Sequence, residues 1–339
     1  MKKKLIYLFS GVLLLVLGLL AYHFYAARNA EQTIDETIRE ITSKSTPKLT
    51  VDFSAIEVSP FSGDIHFSNI NIIQDRNIQR ATSARFNLAY TDFLKFMVWG
   101  TESGLKQVEH GVLELADISY TDRETFLEVK MDSLTIDYSG NLWNLILQAL
   151  TNRPAQLQHN IKAQGRQFSF HQPEEGIGSV QADSLFADAY FGKPGNETDS
   201  LQNRIELSGI TWSPVPPFRE KYQFFIRGFG FQPEAIPLAG ASLTYQYTLE
   251  DHLFFISEMR LDSELFTLTL NGHFLLDPAQ FRQSTLRDAT LRIHDTSPRF
   301  QTFLQQLQQI TSLKLPDNGT DLQLRLNGPL AKPDITFQP

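Results

Sequence analysis

Apolar and polar positions alternate with a period of two over most of the chain after residue 47, and the alternation repeatedly changes phase partway through a segment. In "GDIHFSNINI", Ile65 and Phe67 share one parity and Ile70 and Ile72 the other. Side chains of a strand alternate between the two faces of its sheet, so an uncorrected phase change would turn the second pair away from the first. One extra residue at Asn69, a β-bulge, returns all four to one face. The same break recurs at Asp117 in "LELADISY", Ser133 in "VKMDSLTI", Gly209 in "IELSGITW" and Gly228 in "FFIRGFGF", with a weaker instance in "VQADSLFA". Each break falls on a residue that tolerates bulge or turn geometry. Ordinary strands followed by short turns are the competing explanation. The intervals are irregular, so no fixed-period solenoid is implied.

Short alternating segments such as "KLTVDFSAIEV", "ATSARFNLAY", "FLEVKMDSLTIDY", "ASLTYQYTL", "ELFTLTLNGHFLL" and "DLQLRLNG" are separated by "SPFSG", "KPGN", "SPVPP", "DNGT" and "NGPLAKP". Meandering strands with turn signals between them predict a mainly β, antiparallel fold with a few helices rather than βαβ units. Helices are expected at "NLWNLILQALTNR" from Asn141, at "DFLKFMVWG" over 92–100, and at "SPRFQTFLQQLQQI". The last has Ser297 as N-cap and Pro298 at the first helical position. Its Phe300, Phe303, Leu304, Leu307 and Ile310 line one face.

The start of the chain is different. Residues 1–4 form a basic stub with lysines 2 to 4, and an uncharged run follows from Leu5 to Ala27. As a helix rising about 1.5 Å per residue, this run is long enough to cross a hydrocarbon core of about 30 Å. The lysines would stay on the cytoplasmic side, with Tyr22, His23, Phe24 and Tyr25 at the far interface. A cleaved signal peptide is the alternative, but no clear small-x-small site ends the run. Residues 28–46 read as a stalk helix with Ala30, Ile34, Ile38 and Ile41 on one stripe, and 47–339 as one long β-rich region with a sub-boundary near 192–200.

The formal net charge is −8, and setting aside lysines 2 to 4 leaves −11 for the remainder, which argues against a nucleic-acid partner. Zero cysteine excludes disulfides, zinc–thiolate sites and thiol catalysis. The eight histidines show no metal-ligand spacing, and no phosphate loop, His-Glu-x-x-His, Gly-x-Ser-x-Gly or dinucleotide fingerprint occurs. Neither an enzyme, a cofactor nor a metal site is expected. Glycosylation patterns at Asn196 and Asn318 are too short to carry weight.

A basic start, one anchor helix, a helical stalk and then "LTVDFSAIEVSPFSGDIHFSNINI" resemble the opening of AsmA-like proteins. The closing "LQLRLNGPLAKPDITF", with Gly328, Pro329 and Pro333 at its turn, is similar to the closing strands of that superfamily, and "GHFLLDPAQFRQSTLRDATLRIHDTSPRFQTFLQQL" resembles its strand, strand, helix units. The chain is much shorter than the long members. The resemblance implies a single-pass protein of the bacterial inner membrane, with its amino terminus in the cytoplasm and its bulk in the periplasm. It also implies a long, curved antiparallel sheet, a gutter with an open apolar groove that binds or moves phospholipid or another envelope lipid, as in bridge-like lipid-transfer proteins. The groove candidates are Ile65, Phe67, Leu113, Leu115, Phe266, Leu268, Leu270, Phe274, Leu322, Leu324 and Leu326. The alternative is an anchored scaffold that supports envelope or outer-membrane assembly through contacts with other envelope proteins, its apolar face closed by helices.

Overall fold

A computed structural model of the chain describes residues 2–44, 49–99, 108–141, 159–172, 178–191, 203–248, 253–275, 284–311, 321–329 and 333–338. It is mainly β: fifteen strands form one antiparallel sheet that does not close on itself, with four helices among the described residues. The chain divides into two compact units that interleave in sequence, one holding 1–121 and 133–160, the other 122–132, 161–190 and 194–339.

In the first unit, helix α1 runs without a break over Lys2–Lys44. Its Ala30, Ile34 and Thr37 are buried where it packs on strands β1 (Leu49–Asp52) and β2 (Ala55–Ser59). Thr37 replaces an apolar residue on that stripe because its hydroxyl donates to the Thr33 carbonyl 2.6 Å away, so it is buried without an unmet donor. Ile41's side chain lies outside the described residues. Both short strands pair with β3 (Asp64–Gln74), which turns at Asp75 into β4 (Asn77–Leu88). Helix α2 (Tyr90–Trp99) follows, and β5 (His110–Asp122) and β6 (Leu127–Ser139) come next. The helix expected from Asn141 lies outside the described residues.

The second unit holds most of β7 (His159–Gln172), β8 (Gly178–Phe191), β9 (Asn203–Ser213), helix α3 (Pro216–Gly228), β10 (Ile236–Thr248), β11 (Leu253–Asp262), β12 (Thr267–Leu275), β13 (Thr285–His294), helix α4 (Pro298–Thr311), β14 (Leu322–Pro329) and β15 (Asp334–Gln338). From β3 to β15 each strand pairs with its sequence neighbour, a plain meander. The segment "FFIRGFGF" is not a bulged strand. Pro216 and Pro217 open α3, which continues through Phe224 and Ile226 to Gly228. The apparent alternation of Phe224, Ile226, Phe229 and Phe231 overlaps a helical repeat in which Phe218, Tyr222, Ile226 and Phe229 recur every three or four residues.

Three expected phase breaks fall on residues in the left-handed region: Asn69 (φ 51°), Asp117 (φ 48°) and Gly209 (φ 59°). Ser133 is not among the described residues with positive φ, although the apolar side chains of β6 still switch from partly buried Leu127, Val129 and Met131 to partly buried Leu134 and Ile136 and buried Tyr138. Three further left-handed positions, Gln167, Gly272 and Asp288, interrupt β7, β12 and β13. At Asp288 the ladder slips by one residue against both neighbours, so that exposed Arg287 and Asp288 stand together between buried Leu286 and Ala289. At Asn69 and Gly209, by contrast, the ladders keep one register on either side of the break against β4, β8 and β10, so neither residue is an unmatched insertion and the partner strands change phase at the same level. Among the described residues no helix is long and apolar enough to cross a membrane, and most side chains of 5–27 lie outside the description.

Candidate functional site

The pairing registers of the second unit assemble apolar side chains into rows that run across the strands. Directly opposed residues of an antiparallel pair project from the same face. One row passes through Leu185, Leu207, Ala241, Leu261, Leu268, Ile293 and Leu322, on strands β8 to β14. The next, in the same strands, is Ala187, Ile205, Leu243, Met259, Leu270, Leu291 and Leu324. A third, shorter row carries Tyr245, Ile256 and Gly272, and, across the close approach of Gly272 to Ala289, continues through Leu326 and Ile335. Seven strands spaced about 4.8 Å apart make each long row about 29 Å from end to end. Here Leu268, Leu270, Leu322, Leu324 and Leu326 fall into adjacent rows of one face, and Phe274 lies opposite Leu286 at the next apolar position.

These rows are only partly covered. Leu322 is 6% exposed, while Ile205 and Met259 are each 37% exposed and Ile335 is 56% exposed. Among the described residues the cover sits at one end and comes from α4, from α3, whose Phe218 meets Trp212 of β9, and from the residues just after α3. Phe300 and Leu304 of α4 form a core cluster with Leu265 and Leu322, joined by Phe229, Phe231, Phe266 and Ile293. The Phe229 ring stacks on Phe300 at 5.3 Å, and Phe266 meets Phe300 at 4.9 Å. Phe266 precedes the first residue of β12 and belongs to this aromatic plug, so its partner is helix α4.

The opposite face of the same strands is polar. One of its rows reads Glu206, Ser242, Arg260, Thr269, Arg292 and Gln323. Arg260 and Thr267 both bond the Asp262 carboxylate, and Arg260 holds that carboxyl below its usual range. Arg292 pairs with Asp321, and Arg325 with Asp288.

In the first unit Val58, Ile65 and Phe86 form a three-strand apolar row, and Ile56, Phe67 and Ala84 the next. The Phe86 ring covers Gly111, where a Cβ would come within 2.8 Å of it. That contact places the start of β5 beside Phe86, with Leu113 and Leu115 two and four residues further along the same strand, both half-buried. Ile65 is 6% exposed. Phe53 reaches Phe67 edge-on at 5.6 Å, two residues beyond Val51, which opposes Ile72. That contact joins the two halves of β3 across Asn69 on one face. On the polar face Asp64 accepts bonds from Arg85, Ser62 and Asn87, and Arg85 above all lowers its carboxyl to about 2. Thr82 donates to Asp117 at 2.8 Å, linking the left-handed residue of β5 to β4.

Sequence reasoning missed Leu243, Met259, Ala289, Leu291 and Ile293 as members of the face. The signal was present in β13, where Ala289, Leu291 and Ile293 alternate with Thr290, Arg292 and His294. Among the described residues no group of three His, Asp or Glu side chains stands close enough to hold a metal ion. No protein-family model, curated protein or solved structure matches this chain.

Proposed function

We propose that this chain is a membrane-anchored protein of the bacterial envelope that binds lipid along the apolar face of its sheet, as the AsmA-like and bridge-like lipid-transfer proteins it resembles do. The observation that carries the reading is the pair of unbroken apolar rows over β8 to β14, exposed at Ile205 and Met259 and backed by a charged face. A row of this kind in a soluble domain is normally covered by a second layer, because exposed apolar area costs about 25 cal/mol per Å². Acyl chains supply that layer here. The bulge at Asp288 supports a sheet that curls around such a ligand, since a bulge bends its strand and raises the local twist. The uncharged run 5–27, continuous in α1 with the stalk packed on β1 and β2, supplies the anchor. Lysines 2 to 4 keep the amino terminus in the cytoplasm, with the sheet in the periplasm.

The aromatic plug favours a second reading at one place. Around Phe266, Phe300 and Leu322 the face is closed by protein, as in a scaffold module whose sheet is a packing surface for helices and envelope partners. Native mass spectrometry of the detergent-extracted full chain separates the two. Lipid binding gives an adduct of phospholipid mass that survives gentle activation, whereas a scaffold gives the bare chain.

A further inference from the structure

The first unit has two chemically different ends. At one, β3 turns into β4 through Asp75 and Arg76, both exposed. At the other lie Phe61, 52% exposed, and Tyr90, 45% exposed at the start of α2. The two ends are separated by the ten residue steps of β3, about 34 Å. Gly63 ties the aromatic end together. Its carbonyl accepts from the Leu88 amide, and its φ of 73° brings Leu88 and Phe93 so close that a Cβ would lie 2.5 Å from the Leu88 carbonyl oxygen.

Helix α1 meets the sheet at this same end. The His23 imidazole stacks on the Phe61 ring, with centroids 5.0 Å apart and planes 5° apart. The carboxyl end of α1 reaches Lys44, five residues before Leu49, which pairs with Gln74 at the Asp75 end. The helix therefore runs from the aromatic end to the charged end. In α1, His23 lies eighteen residues after Leu5, about 27 Å along the axis. If Leu5 marks the cytoplasmic edge of the hydrocarbon core, His23 reaches its opposite boundary, given a core of about 30 Å. Its neighbours Phe24 and Tyr25 are 71% and 74% exposed.

We infer that the end of the first unit formed by the 60–63 turn and the start of α2 rests in the outer headgroup layer of the bilayer, with Phe61 and Tyr90 as interfacial anchors and the Asp75–Arg76 hairpin held away in water. This rests on the reading of 5–27 as a membrane anchor. Aromatic rings settle at that depth because one part is apolar and the other tolerates water and headgroups. The row of Val58, Ile65 and Phe86, with Val58 and Ile65 buried, then starts next to the membrane surface.

The chain has no cysteine, so single cysteines can be labelled without background. The full chain is reconstituted in phosphatidylethanolamine–phosphatidylglycerol vesicles carrying a nitroxide at Val16→Cys, Phe61→Cys, Ser62→Cys or Arg76→Cys. Ser62→Cys leaves the His23–Phe61 stack in place. Collision with oxygen, which concentrates in lipid, is compared with collision with a water-soluble nickel chelate. The oxygen-to-nickel ratio is expected to be highest at 16, intermediate at 61 and 62, and lowest at 76. A ratio at 61 and 62 equal to that at 76, with 16 still in lipid, overturns the docking but leaves the anchor. A water-like ratio at 16 overturns both. Dipolar broadening between labels at 61 assigns this end to contact between copies of the chain and overturns the membrane contact.

Discussion

Deleting Asp288 should be tolerated where deleting most residues of a central strand is not. In β13 the residue pairs sum to one constant on one side of Asp288 and to that constant plus one on the other, against β12 and β14 alike. Removing this residue makes both ladders regular and leaves Leu286, Ala289, Leu291 and Ile293 at alternate positions on one face. What disappears is the left-handed residue itself, the pairing with Arg325 and the hydrogen bond from the Asp288 amide to Asn327. Deleting Thr269 from β12 is the control, because β12 carries no extra residue there. It turns Leu270 and Phe274, both half-buried, to the polar face. Each loses about 1 kcal/mol, roughly half the value of full burial. The ladder bonds that must be remade add about 1 kcal/mol each. The Thr269 deletion should therefore cost about 3–5 kcal/mol, a large share of a typical stability of about 5–15 kcal/mol. Equilibrium urea unfolding followed by circular dichroism reads the difference. With a slope of about 1–3 kcal/mol per molar, the Thr269 deletion lowers the midpoint by about 1 M or more. Equal losses for the two deletions would refute the reading of Asp288 as an inserted residue that serves curvature rather than pairing.

Asp64→Asn should destabilise the first unit by about 1 kcal/mol, a value reduced from the full pKa shift because Arg85 is half in water. The Asp64 carboxyl titrates near 2 in the folded chain and at 3.8 when unfolded, so its contribution is complete above pH 4 and fades as pH falls toward 2. Urea midpoints of the native chain and the Asp64→Asn variant should accordingly converge across that window. Phe300→Ala, at a position 3% exposed under Phe229 and Phe266, should cost about 3–5 kcal/mol by thermal or urea unfolding. A loss under about 1 kcal/mol would mean that the aromatic plug is loosely packed.

The meander and the left-handed residues at Asn69, Asp117 and Gly209 were legible because each break lies between two pairs of large apolar residues, where a change of parity is unmistakable. Asp288 was not, because the residue that resumes the face is Ala289, whose small side chain hardly marks a position. Gly272 leaves the parity of Leu270 and Phe274 unchanged, so it gives no signal of this kind. The helix at 216–228 was misread because, over eight residues, repeats of two and of three to four coincide on its phenylalanines. Six of the face residues in β12 and β14, Phe274 among them, were found by alternation alone. Their neighbours in β10 and β11 emerged only with the register, which joins residues more than a hundred positions apart. Phe266 shares the parity of Leu268, but the turn at Ser263–Phe266 places it under α4, a contact with no trace in the local sequence.

The central claim is that the middle of the apolar face is covered by lipid. A photoactivatable amino acid at Met259, 37% exposed within the second row, tests it in intact membranes of cells expressing the full chain. Irradiation should yield a phospholipid adduct on the peptide that carries residue 259, with much less at Thr269, which belongs to the polar face. Adducts at 259 made only with this chain or with another protein, and none with lipid, would contradict the claim.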